Sequence, residues 1–246
     1  MLGREPENEE VVLNSPYQDR RALVEAFVTS DEFARKNGIT TRSFDNLFPV
    51  FPAVNGATRS YINERDDPVR DWSVALALQT IKRENVPGAI AELGVFRGEM
   101  AVFYHHFLPE RRLYLFDTFE GFPDRDLEHG EDDRFRDTSA EFVRSRFPDD
   151  ALVVIRKGYF PETAKGLESE KFCFVMLDPD LYEPTLSGLE FFYDRIWPGG
   201  YIVAHDYTSG ESDRAVSRAF NKFLADKPEK VIEVPDRWGS VMFRKV

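Results

Sequence analysis

Cysteine is nearly absent: Cys173 is the only one in 246 residues. A lone cysteine closes no internal disulfide, which fits a reducing cytoplasm, and its place in the apolar run "FCFVML" reads as packing of a small hydrophobe. Long apolar runs are missing too. No stretch approaches the roughly 18 consecutive apolar residues of a membrane-spanning helix. The opening "MLGREPENEE" lacks the basic-then-apolar order of a secretion signal. The reading is of a cytoplasmic protein with no membrane partner. Positive charge is in deficit, with 32 Lys and Arg against 44 Asp and Glu. That balance repels a phosphate backbone and argues against nucleic acid as a partner. Internal repeats and low-complexity tracts are lacking as well.

What is present is enough apolar matter for one sizeable core: 42% of the residues are hydrophobic and 14% aromatic. "GREPENEE" carries four glutamates in eight residues and reads as a solvated tail. Leu23, Val24, Phe27, Phe33 and Ala34 then recur at helical spacing until Gly38 ends the pattern. A Phe-rich, proline-punctuated stretch without a period follows. Residues 1–66 are therefore read as a helical and lid segment belonging to the same unit as residues 67–246.

Beyond Pro68 the rhythm is regular. A helix from about Val69 to Asn85 exposes Arg70, Asp71, Lys82 and Arg83 and turns Trp72, Val74, Leu76, Leu78 and Ile81 toward a core. "AIAEL", "RLYLFD", "ALVVIRK", "FCFVMLD" and "GYIVAHD" read as strands, with "GEMAVFYHHFL", "SAEFVRSRF", "FPETAKGL" and "LSGLEFFYDRI" as helices between them. Strands that are apolar throughout, alternating with helices, predict a parallel sheet covered on both faces. A helix near Arg214 to Ala225 precedes the last pair, "KVIEVPD" and "SVMFRKV". They are separated only by "RWG", too short for a crossover, so an antiparallel C-terminal hairpin is expected. The predicted class is α/β with a Rossmann-like, mostly parallel sheet.

The turn "AELGVFRGEMA" places Glu92, Gly94 and Gly98 between the first strand and its helix. In such folds ligands sit at the carboxyl ends of the strands, and glycines allow close backbone approach. A tight turn with no ligand is the plain alternative. The second strand ends at Asp117, suited to ribose hydroxyls. The spacing is G-x-x-x-G, not the G-x-G-x-x-G of dinucleotide binding, and a glutamate sits awkwardly beside a pyrophosphate. Glu92 suits an amino group, so S-adenosylmethionine fits better than NAD. Thr118 and Phe119 follow Asp117, where an aromatic can stack on adenine, and Gly158 permits approach to a planar base. Local packing stays open for Phe119 and Tyr159. Seven acids in fourteen residues make "DRDLEHGEDDRFRD" a solvated loop.

Two strand ends carry the acids. The fourth ends at Asp178 and the fifth at His205 and Asp206, so adjacent parallel strands bring them to one cavity. Mostly carboxylate donors suit Mg²⁺ or Mn²⁺; the histidine leaves Zn²⁺ or Fe²⁺ open. A cation lowers the pKa of an acceptor hydroxyl, and Asp178 stands where it can take the proton. Asp180, just before a helix, reads as its cap.

"AELGVFRGEMAVF", "LFDTFEGFP", "FRDTSAEFV", "KGYFPET", "LDPDLYEPTLSGLEFFY" and "PGGYIVAHDYTS" occur in order between about residues 70 and 225. Together they resemble the macrocin O-methyltransferase family, class I methyltransferases that depend on a metal. The resemblance implies a methyltransferase sheet with S-adenosylmethionine held by Glu92, Gly94, Phe96, Gly98, Asp117, Thr118 and Phe119, and the Ser139 and Gly158 regions near adenine. It implies Mg²⁺ with Asp178 as ligand and base, a hydroxylated, sugar-like acceptor, and a homo-oligomer. Antibiotic-pathway members carry two acids where this chain has His205 and Asp206. Asp206 is then the firmer ligand, and His205 is a ligand, a base or an orienting group. The Phe-rich stretch and residues 124–137 are expected to select the acceptor and form a lid. A non-catalytic Rossmann module and an NAD-linked oxidoreductase are the competing readings.

Overall fold

In the computed structural model, Ile62 and residues 65–246 apart from His129 and Asp149 are described. The helix expected between Tyr17 and Asn37 and the Phe-rich stretch lie outside the described residues, as does nearly all of the segment 1–66.

Two strands with no polar face set the centre of the sheet. β1 (Ala89–Leu93) and β4 (Phe172–Leu177) are buried at every position, the burial expected when helices cover both faces. They pair in parallel, Leu93 opposite Leu177. β2 (Leu113–Asp117) and β3 (Val153–Lys157) extend the sheet on one side. On the other side lie β5 (Ile196–Ala204), then β7 (Ser240–Arg244) and β6 (Ile232–Val234). The order is β3-β2-β1-β4-β5-β7-β6, with β5 to β7 and β7 to β6 antiparallel. The expected mostly parallel sheet with a C-terminal hairpin is present. The chain leaves β1 toward β2 and returns on the other side at β4, so a crevice opens at the carboxyl ends of these two strands.

Helix α1 (Pro68–Glu84) leads into β1, and α2 (Glu99–Phe107), α3 (Ala140–Ser145), α4 (Tyr182–Phe192) and α5 (Ala215–Leu224) lie between later strands. α1 begins where Pro68 fits the first turn and the Asp67 carboxylate accepts the Arg70 amide at 3.2 Å; it stops at Asn85 in the left-handed region. Two expectations change here. "FPETAKGL" forms only a single 3₁₀ turn, Glu162–Ala164, because eight residues later the chain must already enter β4. The first turn of α1 is not solvent-exposed: Asp71 is wholly buried and paired with the Arg65 side chain. Among the described residues no helix is long and apolar enough to cross a membrane.

Candidate active site

The turn after β1 is fixed by one carboxylate. Asp117, at the tip of β2, accepts the amides of Val95 (2.7 Å) and Phe96 (2.8 Å) on Oδ2 and the amide of Phe119 (2.7 Å) on Oδ1. Charge-assisted bonds of this kind are the strong ones. Asp117 therefore clasps the glycine turn first and faces the cavity with its remaining acceptor capacity. Gly94 is required for a different reason from the one its motif suggests. It has φ +86°, and a Cβ there would lie 2.1 Å from the carbonyl oxygen of Asp178. The turn after β1 thus rests directly on the tip of β4, tied by the Asp178 amide donating to the Leu93 carbonyl at 2.8 Å.

A cavity of about 350 Å³ opens over these tips. Of the residues read as cofactor ligands, Glu92, Gly94, Phe96, Asp117, Thr118 and Gly158 line it. Three do not. Gly98 faces the Val143 side chain on α3, Phe119 is buried in the interior, and the Ser139 hydroxyl caps α3 by accepting the Phe142 amide at 3.0 Å. Tyr159, by contrast, lines the cavity, and its hydroxyl donates to Asp126 Oδ1 at 2.9 Å. So does Asp126, from the acidic stretch read as solvated; its second oxygen is buried with no partner among the described residues.

Glu92 is a carboxylate inside an otherwise apolar strand, 2% exposed. Its Oε1 accepts the Tyr104 hydroxyl at 3.2 Å, while Oε2 is buried and unpartnered. Burial first, then the neighbouring Asp178 charge, pushes its pKa well above the usual carboxylate range. A cation at Oε2 would relieve both.

At the β4–β5 edge, His205 Nδ1 lies 2.9 Å from Asp206 Oδ2 and 3.3 Å from Asp178 Oδ1. Burial opposes a charge on His205, but the two carboxylates raise its pKa from 6.5 to about 10. Burial likewise opposes the Asp178 anion, yet His205 and then Arg70 hold its pKa below the usual value. Asp178, His205 and Asp206 each offer a donor atom within 4.8 Å of the others. A second trio, Asp67, His205 and Asp236, meets the same distance. There Asp67 is already spent on the Arg70 and Arg237 amides and Asp236 Oδ1 on that of Ser240.

Asp180 departs from its expected role. α4 is capped by the backbone of Leu181 with no side-chain bond, so Asp180 caps nothing. It lines the cavity with φ +58°. Burial, and then Asp178 and Asp206, push its pKa well above the usual range. Four further lining residues were not singled out by the sequence: Arg70, Arg134, Glu211 and Trp238. The only signal for Trp238 was its place in the three-residue hairpin turn. Ala204 opposite Val241 puts that turn beside His205, where Gly239 accepts the Tyr207 amide at 2.7 Å.

Residues 70–245 match the family described as macrocin O-methyltransferase. The chain belongs to that family. Its similarity to individual members is partial. It is 31% identical over 148 residues to the 8-demethyl-8-(2,3-dimethoxy-alpha-L-rhamnosyl)-tetracenomycin-C 4'-O-methyltransferase of Streptomyces olivaceus, covering 53% of this chain and 57% of that one. It is 28% identical over 150 residues to the mycinamicin III 3''-O-methyltransferase of Micromonospora griseorubida, covering 53% and 59%. The matched stretch thus spans little more than half the length of either relative. Among solved structures, the O-methyltransferase NovP superposes with a TM-score of 0.62 at 23% identity, over 73% of this chain and 80% of that one. At that identity the likeness speaks for the fold alone.

Proposed function

We propose that the chain is an S-adenosylmethionine-dependent O-methyltransferase acting on a hydroxyl of a small, sugar-containing natural product or glycan, assisted by Mg²⁺ or Mn²⁺. The observation that carries this reading is the pairing, in one cavity, of a buried unpartnered carboxylate oxygen on Glu92 with the Asp178, His205 and Asp206 trio. One relative named above acts on a rhamnosyl-bearing compound, which supports the acceptor class.

Both small partners fit the residues present. Glu92 Oε2 offers an acceptor to the amino group of S-adenosylmethionine, and Asp117, Thr118, Gly158 and Tyr159 line the way to its ribose and base. S-adenosylmethionine supplies an electrophilic methyl group on sulfur. Two carboxylates and an imidazole are a donor set for a small divalent cation, which would supply the charge that acidifies an acceptor hydroxyl. For Nδ1 of His205 to serve as a ligand, its proton must sit on Nε2, the ring nitrogen that is buried and unpartnered.

The chain's own residues divide the remaining work. Asp178, held anionic by His205 in the metal-free protein and by Arg70, anchors the charge of the site. Asp180 shares the cavity wall with Asp178, the proton acceptor named from the sequence, and is a second candidate for that duty. Phe122, Phe135 and Trp238 supply apolar surface that keeps water from the transfer. Calorimetry with S-adenosylhomocysteine, followed by turnover on glycosylated acceptors with Mg²⁺ and with chelator, tests the reading. No binding of S-adenosylhomocysteine would refute it.

A further inference from the structure

We infer that Arg70 grips the α-carboxylate of the cofactor's amino-acid portion, opposite the ammonium that Glu92 receives. The inference rests on the S-adenosylmethionine reading above and gives it a second, oppositely charged anchor.

Arg70 sits in the first turn of α1, which is pinned at its start. The Asp67 carboxylate accepts the Arg70 amide on Oδ1 and, at 2.9 Å, the Arg237 amide on Oδ2. The Arg70 side chain lines the same cavity as Glu92, Gly94 and Asp178. Its guanidinium makes no hydrogen bond within the described residues. The nearest acid is Asp71 at 3.6 Å, whose other oxygen is taken by Arg65, and Nε is buried with no partner. A guanidinium carries five donors and strongly favours two-pronged binding of a carboxylate. A buried N–H left without an acceptor is costly, and Asp71 is too far to accept a hydrogen bond, so the place of Arg70 on the wall of an open cavity is explained by a ligand that brings the acceptors.

The amino-acid end of S-adenosylmethionine is a zwitterion with both charges on one carbon. The cavity offers two unsatisfied groups of opposite sign. Glu92 Oε2 lacks a donor, and Arg70 Nε lacks an acceptor. The two also sense each other, since Arg70 is among the charges that oppose the upward shift at Glu92. A ligand with a single charge would satisfy one group and strand the other. Asp178 also stabilises the Arg70 charge, so the arginine stands where the cofactor half of the cavity meets the β4 tip.

The test uses the full chain and two ligands that differ only at the group in question: S-adenosylhomocysteine and its decarboxylated analogue, which keeps the amine. Titration calorimetry on the wild type should show the decarboxylated ligand binding about 10- to 100-fold more weakly, the range expected for charged hydrogen bonds. In Arg70→Gln the affinity for S-adenosylhomocysteine should fall to that of the analogue, and the preference between the two should vanish. Arg70→Lys, which keeps the charge and much of the bulk, should restore part of the preference and covers the case in which the glutamine variant does not fold. Equal losses for both ligands in a folded variant, or an undiminished preference, would overturn the assignment. So would an unchanged preference with a raised KM for the acceptor alone, which would place Arg70 on an anionic acceptor group. A wild type that binds neither ligand refutes the cofactor reading itself, a result distinct from any of these.

Discussion

The two halves of the cavity are built on opposite principles. At the β1–β2 end, one carboxylate organises backbone: Asp117 accepts three amides and has no acidic rival among its hydrogen-bond partners. At the β4–β5 end, side chains oppose one another. Asp178, Asp180 and Asp206 crowd around a single histidine, and the pKa of Asp178 is held down while that of Asp180 is pushed up. A site that must only hold a ligand can satisfy its polar groups in advance. A site that must move a proton gains from groups left out of balance.

The sharpest way to test this contrast is to remove one member of the crowded end. Asp178→Ala should lower turnover by about 10³-fold, within the range for losing a group that acts on proton transfer or charge in the site. S-adenosylhomocysteine should still bind within a few-fold of wild type, read by calorimetry. If cofactor binding collapses as well, the two halves are not separable and the comparison fails. Asp180→Asn should cost turnover alone, by about 10²-fold, and should leave any Mg²⁺ affinity intact; loss of Mg²⁺ affinity instead would make Asp180 a ligand.

The place where the halves touch gives the next largest effect. Gly94→Ala puts a Cβ at 2.1 Å from the Asp178 carbonyl oxygen in a left-handed backbone. Overpacking and strain together should cost roughly 3 kcal/mol in urea unfolding and should also weaken S-adenosylhomocysteine. Asp117→Ala should cost less, about 2 kcal/mol, because water can reach part of the freed turn. Its mark is selective: cofactor affinity should fall while Mg²⁺ binding at the other end persists.

The same contrast explains what the sequence disclosed. Glu92, Asp178, His205 and Asp206 were legible because each interrupts or ends an apolar strand, and strand ends in a parallel sheet point to one edge. The hairpin was legible from a connection too short to cross over. Asp180 was misread because an acid just before a helix is the usual sign of a cap, and only the backbone shows Leu181 in that place. Arg70 and Asp71 were misread as exposed because a polar pair on an amphipathic helix normally faces water. Here the start of α1 abuts the crevice, where Arg70 lines the cavity. Ser139 came from family resemblance and caps α3; Phe119 is held inward by the turn in which its amide binds Asp117. Arg134 and Trp238 sit in loops whose composition carries no hint of how they fold back over the cavity.

The contrast also shows in the pH dependence of stability, whose sign is fixed by His205. In the fold its pKa is raised from 6.5 to about 10 by Asp178 and Asp206 against the opposing pull of burial. A raised basic pKa contributes stability that is fully present below about 6.5 and is lost as pH rises through about 10. Asp178 does the reverse: with its folded pKa lowered, its contribution is present above the ordinary value of 3.8 and is lost as pH falls below it. Metal-free wild type, unfolded by urea at intervals from pH 6 to 10.5, should therefore lose stability more steeply than His205→Asn over the alkaline half of that range. At acid pH His205→Asn should also lose less, because Asp178 no longer has the charge that holds its pKa down. Parallel curves for the two proteins would mean that His205 is neutral in the fold, and the β4–β5 end would then be as settled as the β1–β2 end.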